Sequence, residues 1–446
     1  VTLLAASAVA VNADCGIHSF EEGGNWFCQA VNKIAYDSLN VAGSYKAVSH
    51  MDSNGACNFE TKEYSGSIAP FDEELSVHIR GPTQLKTFAV YTPTKSKKRE
   101  VPSSNAKRHG HQHLHKKHRE ARQQEKRDMV TATINGQVVS WVNTNGVSTQ
   151  AATTAAVTTL TKQSTPDSVV SGNESVEEAP KGYETASSGS NSTDGGSSAV
   201  TGDYERIAFY EAESQTADGV AFLGNYGGQG SGVWDTTWGN SLSYTSEDAT
   251  SGFASPTILK DCLVGDNVEY SIWTDKECAE EDASCGYYRP GTIAHHGFGG
   301  ADKVFLFEFQ MPMSGKKGFN ADMPAIWLLN SKIPRTMQYG DCSCWGGIGE
   351  GGCGEFDIFE ALASGDTKCK STFHYTNSIG SSDYFERPIN DYVKVAVVFQ
   401  ASTSTASIKV LPASTDFSTS LTTAQVEDMI KDDEEFGLST LMSIVS

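Results

Sequence analysis

Runs of β-favouring apolar residues recur through the second half of the chain, separated by turns rich in Gly, Asn, Asp and Ser. They predict strands at residues 303–309, 325–329, 355–359, 393–399 and 406–410. Only residues 423–431 show helical periodicity, with Val426, Met429 and Ile430 on one side. Many strands and one late helix are typical of an all-β sandwich, not of alternating βαβ units, so we expect a sandwich over residues 203–446.

The first part of the chain predicts two smaller β elements. Strand-like runs at residues 76–79 and 86–91 favour a separate β-rich N-terminal module over residues 14–94. A β-hairpin is predicted within residues 129–146, because apolar and polar residues alternate on both sides of Asn135-Gly136. This pair accepts the positive φ values of a tight type I′ turn.

Composition indicates two linkers between these elements. Residues 95–128 are basic and His-rich, with twelve of the 34 Lys and Arg residues at positions 95–127. We interpret this tract as an unfolded linker exposed to processing proteases at its dibasic pairs; a metal-binding or polyanion-binding tract is the alternative. Residues 147–202 are rich in Ser and Thr and carry glycosylation sequons at Asn173 and Asn191, which predicts a disordered, glycosylated linker.

The N-terminal residues and the cysteines point to a secreted protein. Residues 1–13 are apolar and end in small residues, as the remnant of a secretory signal peptide would. The ten Cys residues are then expected in an oxidising compartment, mostly paired. Three lie early and seven late, so either a disulfide joins the two groups or each group keeps an unpaired thiol.

Charge and hydropathy exclude several classes of partner. Acidic residues outnumber basic ones 55 to 34, giving a net charge of −21, which argues against a general nucleic-acid or anionic-membrane binder. No run of 18 apolar residues occurs, so no membrane span is predicted. The chain has no Cys-x-x-Cys pair, and we predict no metal and no cofactor. We expect a monomer.

The candidate chemistry lies in a short acidic segment. In an extended strand Glu355 and Asp357 share one face, while strict alternation would turn Glu360 into the core. One extra residue, a β-bulge near Ile358 or Phe359, would return Glu360 to the acidic face. Two facing Glu carboxyls about 5–5.5 Å apart suit a retaining glycosidase. An exposed acidic strand or a calcium site made from the same oxygens is the alternative.

The pattern Glu355-x-Asp357-x-x-Glu360 resembles the signature of family 16 glycoside hydrolases. The resemblance implies that Glu355 is the nucleophile, Glu360 the acid/base and Asp357 an assisting residue. Residues 323–330 are similar to the family strand whose Trp, here Trp327, lines the sugar cleft. Residues 372–375 are similar to the neighbouring strand, where a His, here His374, approaches the catalytic centre.

Most of the chain also resembles a family of glycine-rich, secreted fungal cell-wall proteins of the Tos type. The resemblance rests on the N-terminal module, the linkers, and residues 233–243 and 287–300. It implies a concanavalin-like β-jelly-roll domain with endo-β-1,3-glucanase-like character. The Gly- and Cys-rich insertion at residues 341–354 departs from ordinary family 16 enzymes.

Aromatic side chains are the expected sugar contacts, because a pyranose presents an apolar face that packs on a ring. Trp327 is the first stacking candidate. Trp234, in a Gly-rich loop, and Trp345, in the insertion, are further substrate-binding candidates, for which core packing is the alternative.

Together these features predict a secreted glycoside hydrolase of the cell wall, a retaining endo-β-1,3-glucanase whose partner is β-glucan. Two alternatives stay open. One is a transglycosylase that joins wall glucan or chitin, and the other is a non-catalytic protein that only binds glucan.

Overall fold

The computed structural model describes most of the two β-rich parts of the chain. Described are residues 19–94, 129–134, 137–142, 202–279, 282, 284–345, 352–375, 379–432 and 437–444. The predicted signal-peptide remnant at 1–13, the basic tract at 95–128 and all but the last residue of the predicted linker at 147–202 lie outside the described residues.

Nine strands precede the Ser/Thr-rich linker: β1 (Phe20–Glu22), β2 (Asn25–Phe27), β3 (Lys33–Asp37), β4 (Gly43–Met51), β5 (Cys57–Tyr64), β6 (Leu75–Arg80), β7 (Gln84–Pro93), β8 (Met129–Ile134) and β9 (Gln137–Val142). The strands that follow it are β10 (Tyr204–Glu211), β11 (Thr216–Asp218), β12 (Ala221–Gly224), β13 (Trp234–Asp235), β14 (Gly239–Asn240), β15 (Ser243–Thr245), β16 (Gly252–Phe253), β17 (Glu269–Trp273), β18 (Lys303–Gln310), β19 (Ala325–Asn330), β20 (Glu355–Glu360), β21 (Lys368–His374), β22 (Ile379–Gly380), β23 (Phe385–Glu386), β24 (Val393–Gln400), β25 (Thr405–Leu411), β26 (Ser420–Leu421) and β27 (Ser439–Ser443). The helices are α1 (Lys332–Thr336) and α2 (Thr423–Ile430).

Two large sheets carry the fold. The front sheet has the strand order β16-β15-β12-β17-β6-β19-β20-β21-β22, with β23 also paired to β21. The back sheet has the order β11-β10-β7-β18-β24-β25-β3-β27, with β26 also paired to β10. The pairs within both sheets are antiparallel except β27 with β3, which is parallel. Neither helix of the described residues approaches the length needed to cross a membrane.

The two sheets pack face to face over one large apolar core. Phe356 of the front sheet and Phe399 of the back sheet meet with ring centroids 5.9 Å apart. Phe309 and Phe359 form a second ring contact between the sheets, at 5.4 Å. All four rings are at most 1% exposed. The predicted all-β sandwich is therefore confirmed.

The individual elements agree well with the hydrophobic pattern. Each predicted strand of the second half falls on an observed strand, from β18 to β25. The predicted helix is α2, which begins with a capping box between Thr422 and Gln425. The two strands of the predicted hairpin, β8 and β9, pair with Ile134 opposite Gln137. Their turn residues 135 and 136 lie outside the described residues.

The separation of residues 14–94 from the main domain is wrong. Strand β6 lies between β17 and β19 in the front sheet, and β7 lies between β10 and β18 in the back sheet. All six residues of β6 are buried. Strand β6 is buried on both faces and paired on both edges, and both partner strands, β17 and β19, follow the Ser/Thr-rich linker. The N-terminal residues therefore could not form a stable module around β6 on their own. Both parts of the chain belong to one compact unit.

The disulfides join the same two parts of the chain. Cys57 is bonded to Cys342, so the first of the two cysteine alternatives is confirmed. Shorter loops are closed by Cys278–Cys285 and Cys344–Cys353. Cys28 is also disulfide-bonded. Cys262 and Cys369 are free thiols, so pairing is incomplete.

Candidate active site

The acidic segment forms β20 and contains the predicted bulge. Glu355, Phe356 and Asp357 pair in steady register with Leu329, Leu328 and Trp327 of β19. The register then shifts by one residue, so that Phe359 pairs with Ile326 and Glu360 with Ala325. Ile358 is therefore the extra residue. The register with β21 shifts over the same stretch.

The bulge separates apolar and acidic side chains as expected. Phe356, Ile358 and Phe359 are at most 1% exposed and belong to the sandwich core. Glu355 and Glu360 keep partial exposure on the outer face of the front sheet, and Asp357 is buried between them. The bulge prediction is confirmed, because two consecutive residues, Ile358 and Phe359, both face the core.

Cross-strand pairing arranges the outer face of the front sheet in three rows. The first row consists of Glu269, Arg80, Ala325, Glu360 and Lys370. The second row consists of Ser271, His78, Trp327, Asp357 and Thr372. The third row consists of Ser76, Leu329, Glu355 and His374. Each row crosses the strands, so a linear ligand lying along a row would pass over one of the three acids.

Glu355 lies in an environment that favours its protonated form. Burial and the neighbouring charge of Asp357 raise the pKa of Glu355 to about 8, and the charge of Glu360 adds to this effect. His374 and the Trp345 side chain oppose it. The indole N–H of Trp345 donates a hydrogen bond to Oε2 of Glu355. The sequence-predicted Trp345 is thus brought directly to this carboxyl.

Asp357 is the most enclosed of the three acids. Burial, reinforced by the charge of Glu360, raises its pKa well above the ordinary range. Its Oδ2 lies 2.9 Å from Nε2 of His374. One ligand atom each from Glu355, Asp357 and His374 lies within 4.8 Å of the others. A side-chain hydrogen bond with Glu355 lowers the pKa of Asp357, against the effect of burial.

Glu360 is held from the N-terminal part of the chain. Nη2 of Arg80, on β6, lies 3.4 Å from Oε1 of Glu360. Nε of Arg80 also donates to the carbonyl oxygen of Met323 at 2.8 Å, which fixes the guanidinium beside β19. The positive charge of Arg80 also lowers the pKa of Asp357, against the effect of burial.

The other sequence-predicted aromatic residues differ in their relation to the acids. Trp327 lies beside Asp357 in the second row but is only 6% exposed, packed against His78 at 5.3 Å between ring centroids. Trp234 is 58% exposed on β13. Among the described residues, no ring contact or hydrogen bond joins Trp234 to the three carboxyls.

Several polar residues of the outer sheet face and of the segment that lies against it belong to no motif in the sequence. They are His78, Arg80, Glu269, Gln338 and Tyr339. His78 and Arg80 alternate with apolar residues in β6, and that period of two is the one sequence signal that could have placed them on a shared face. Gln338 and Tyr339 lie in an irregular segment, whose course depends on tertiary structure.

Two clusters of the described residues have the spacing of metal ligands. Glu355, Asp357 and His374 form one, on the outer face of the front sheet. Cys278, Cys285 and His296 form the other, and its two sulfurs are already joined in a disulfide. A disulfide sulfur is not the thiolate that metals bind.

Fold and site together define a β-sandwich protein with a carboxyl cluster on the outer face of one sheet. The family model described as cell wall protein YJL171C/Tos1, C-terminal, matches residues 202–429, and its N-terminal counterpart matches residues 32–93. The chain belongs to this YJL171C/Tos1 family of cell wall proteins. The resemblance to fungal cell-wall proteins of the Tos type is thereby confirmed.

Curated relatives match over nearly their whole length. A protein of Arthroderma benhamiae named "probable circularly permuted 1,3-beta-glucanase" is 41% identical, over 92% of this chain and 90% of its own. The similarly named TOS1 proteins of Saccharomyces cerevisiae and Candida albicans are 38% and 35% identical, each over 89% of both chains. No solved structure matches this chain significantly.

Proposed function

We infer that the protein is a secreted, retaining endo-β-1,3-glucanase acting on β-glucan of the cell wall. One observation carries this proposal. The bulged strand β20 places Glu355 and Glu360 on the same outer sheet face, on either side of the buried Asp357. The names of the relatives support 1,3-β-glucan as the substrate, and the family name supports the cell wall as the location.

In the proposed first step the Glu355 carboxylate attacks the anomeric carbon of the sugar beside it. The bond from that carbon to the glycosidic oxygen breaks, and Glu360 donates its proton to the departing oxygen. A covalent glycosyl ester on Glu355 results. In the second step Glu360 accepts a proton from water, the water oxygen attacks the same carbon, and Glu355 leaves as a carboxylate.

The surroundings of Glu355 raise its pKa to about 8, so only the ionised fraction of this carboxyl can attack. The nucleophile must be ionised when it attacks, and the Trp345 N–H stabilises the ionised form. Asp357 can hold a proton that it shares with Glu355, because burial raises the pKa of both carboxyls. His374 fixes Asp357 from the adjacent strand. Each of these contacts positions the proposed nucleophile or changes its pKa.

The first experiment replaces the nucleophile. Glu355→Gln is isosteric and should lower the rate of reducing-sugar release from laminarin by at least about a thousandfold, since no carboxylate remains to attack. Glu386→Gln, a change of an exposed Glu on β23, is the matched control and should keep wild-type activity. Undiminished turnover by Glu355→Gln would refute the assignment.

Product analysis tests the stereochemistry and the acceptor. Proton NMR of the first products should show the β-anomer, as expected for two successive inversions. An initial α-anomer would refute the covalent mechanism. Mass spectrometry of the products identifies transfer, since a transglycosylase makes chains longer than its donor.

A further inference from the structure

A second group of polar residues lies along the outer face of the front sheet, at a distance from the three acids. Glu269, on β17, begins the row that ends at Glu360 and Lys370. Three strand spacings separate Glu269 from Glu360, which is roughly 14 Å. Neither carboxyl of the proposed double displacement is Glu269, so its environment needs its own explanation.

The carboxylate of Glu269 anchors the segment after α1. The Tyr339 hydroxyl donates to Oε2 of Glu269 at 2.6 Å. Nε2 of Gln338 donates to Oε1 at 2.5 Å. Nδ1 of His78 lies 3.8 Å from the same oxygen, and burial lowers the pKa of His78, so its imidazole stays neutral. The carboxylate thus faces neutral polar groups here, not a tightly bound cation.

Tyr339 combines a fixed hydroxyl with an open ring. Although its hydroxyl is bound to Glu269, 61% of the residue's surface is exposed. Most exposed aromatic rings rotate freely and lose entropy when a ligand orders them. A ring that is already held costs less to order, so it binds a flat apolar surface more favourably.

An open cavity adjoins this ring. Its volume is about 160 Å³. Among the residues that line it are Asn225, Tyr226, Glu269, Ser271, Gln338 and Tyr339. Rings, amides, three hydroxyls and one carboxylate suit a neutral polyol, which offers an apolar C–H face and several hydroxyl groups. Each Glu269 oxygen has a further lone pair that could accept a sugar hydroxyl.

We propose that this cavity is a distal glucosyl subsite and that Tyr339 is its stacking platform, with Glu269 as the hydroxyl acceptor. The ligand class is an unreacted glucose unit of the same β-glucan chain, bound at the β17 side of the outer face, where Glu269 lies. The subsite extends the proposed function, on which the identity of the glucan rests.

Binding to a non-hydrolysing protein tests the subsite without turnover. In the Glu355→Gln background, titration calorimetry with laminarihexaose measures the dissociation constant. Adding Tyr339→Ala should weaken binding about threefold to tenfold, the value of one aromatic contact. Tyr339→Phe should retain part of the affinity, because the ring stays while its anchor is lost. Tyr392→Ala, on the back-sheet side beside Lys86, is the matched control and should not change it.

Parallel hydrolysis assays on laminarin distinguish this inference from the proposed function. If the wild type hydrolyses laminarin but Tyr339→Ala binds hexaose as tightly as the control, the subsite is refuted and the glucanase assignment stands. If the wild type does not hydrolyse laminarin but Tyr339→Ala still weakens hexaose binding, the catalytic proposal fails and the subsite stands. Absence of hexaose binding to the Glu355→Gln protein would overturn the subsite.

Discussion

The neighbours of Glu355 have opposite effects on its pKa. Burial and the charge of Asp357 favour the protonated carboxyl, and the Trp345 N–H favours the carboxylate. Trp345 follows Cys344, whose disulfide to Cys353 closes the loop just ahead of β20. We therefore regard Trp345 as a positioning residue of the proposed nucleophile, supplied by the Gly- and Cys-rich segment at residues 341–354.

Replacing Trp345 by Phe keeps an aromatic ring but removes the N–H donor. The ionised form of Glu355 loses stabilisation, so its pKa rises and a smaller fraction is ionised at any given pH. The acidic limb of the kcat/KM profile on laminarin should move to higher pH, by about one unit for a lost charge-assisted hydrogen bond.

Trp238→Phe supplies the comparison for this profile. Trp238 also donates from its indole nitrogen, but to the carbonyl oxygen of Asp52, outside the carboxyl cluster. Its loss should leave the acidic limb in place. An acidic limb that stays put or moves to lower pH in Trp345→Phe would contradict the role assigned to this hydrogen bond.

From the sequence alone, the bulged acidic strand β20 could be predicted residue by residue, whereas the residues that pack around it could not. Glu355, Asp357 and Glu360 reveal the bulge because apolar residues fill the intervening positions and only one register buries all of them. Nothing local distinguishes Tyr339 from any other exposed aromatic residue. Its place depends on a hydrogen bond to Glu269, seventy positions earlier in the chain.

Among the elements, β6 supplies three polar side chains to the outer face within six residues. It presents Ser76, His78 and Arg80 to the outer face and Val77 and Ile79 to the core. The strand was predictable from its alternation. Its partners β17 and β19 were not, because pairing between strands distant in sequence leaves no trace in the pattern of either strand alone.

Arg80→Gln tests the contribution of β6 to the chemistry. The change removes the positive charge beside Glu360 and the influence that lowers the pKa of Asp357. We expect kcat on laminarin to fall roughly tenfold to a hundredfold, as for one charge-assisted hydrogen bond, with a smaller change in KM. Steady-state kinetics and a pH profile measure both effects.

Arg80→Lys and Arg206→Gln complete this comparison. Lys restores the charge without the forked hydrogen bonding, so it should recover part of kcat. Arg206 bonds the carbonyl oxygen of Phe417 on the back sheet, and its replacement should leave kcat unchanged. Equal losses from Arg80→Gln and Arg206→Gln would mean that Arg80 acts only through general stability.

On the scale of the whole molecule, the sandwich is assembled from both sides of the Ser/Thr-rich linker. Without β3, β6 and β7, residues 203–446 would lack a central strand in each sheet and expose the core facing Val77 and Phe88. The relatives reported above are named as circularly permuted. Most of the long strands could be predicted from the sequence, but not that strands from both sides of the linker would alternate within each sheet.

A cut between the two parts tests this arrangement. A specific protease site inserted at residues 102–103 lets the purified protein be cleaved after folding. Both fragments should elute together in gel filtration, with reductant present, and laminarin hydrolysis should persist, because paired strands and buried core join them. On a denaturing gel the fragments should separate only after reduction, owing to Cys57–Cys342.

Expression of residues 203–446 alone tests whether this part folds without the N-terminal strands. This fragment should be insoluble or unfolded by circular dichroism, and co-expression with residues 14–94 should recover soluble, active protein. A soluble, cooperatively folding and active fragment 203–446 would contradict the interleaved sandwich.

The central position of β6 also has a consequence for biosynthesis. Arg80 and its partner Ala325 are 245 positions apart, so β6 leaves the ribosome long before β19 exists. At about 5–20 residues per second, this interval is roughly 12–50 s. During that time β6 has two unpaired edges, and its core-facing side chains Val77 and Ile79 are not yet covered. Both features favour association with other nascent chains. Strand β6 therefore stays without its β19 partner until residue 330 has been translated.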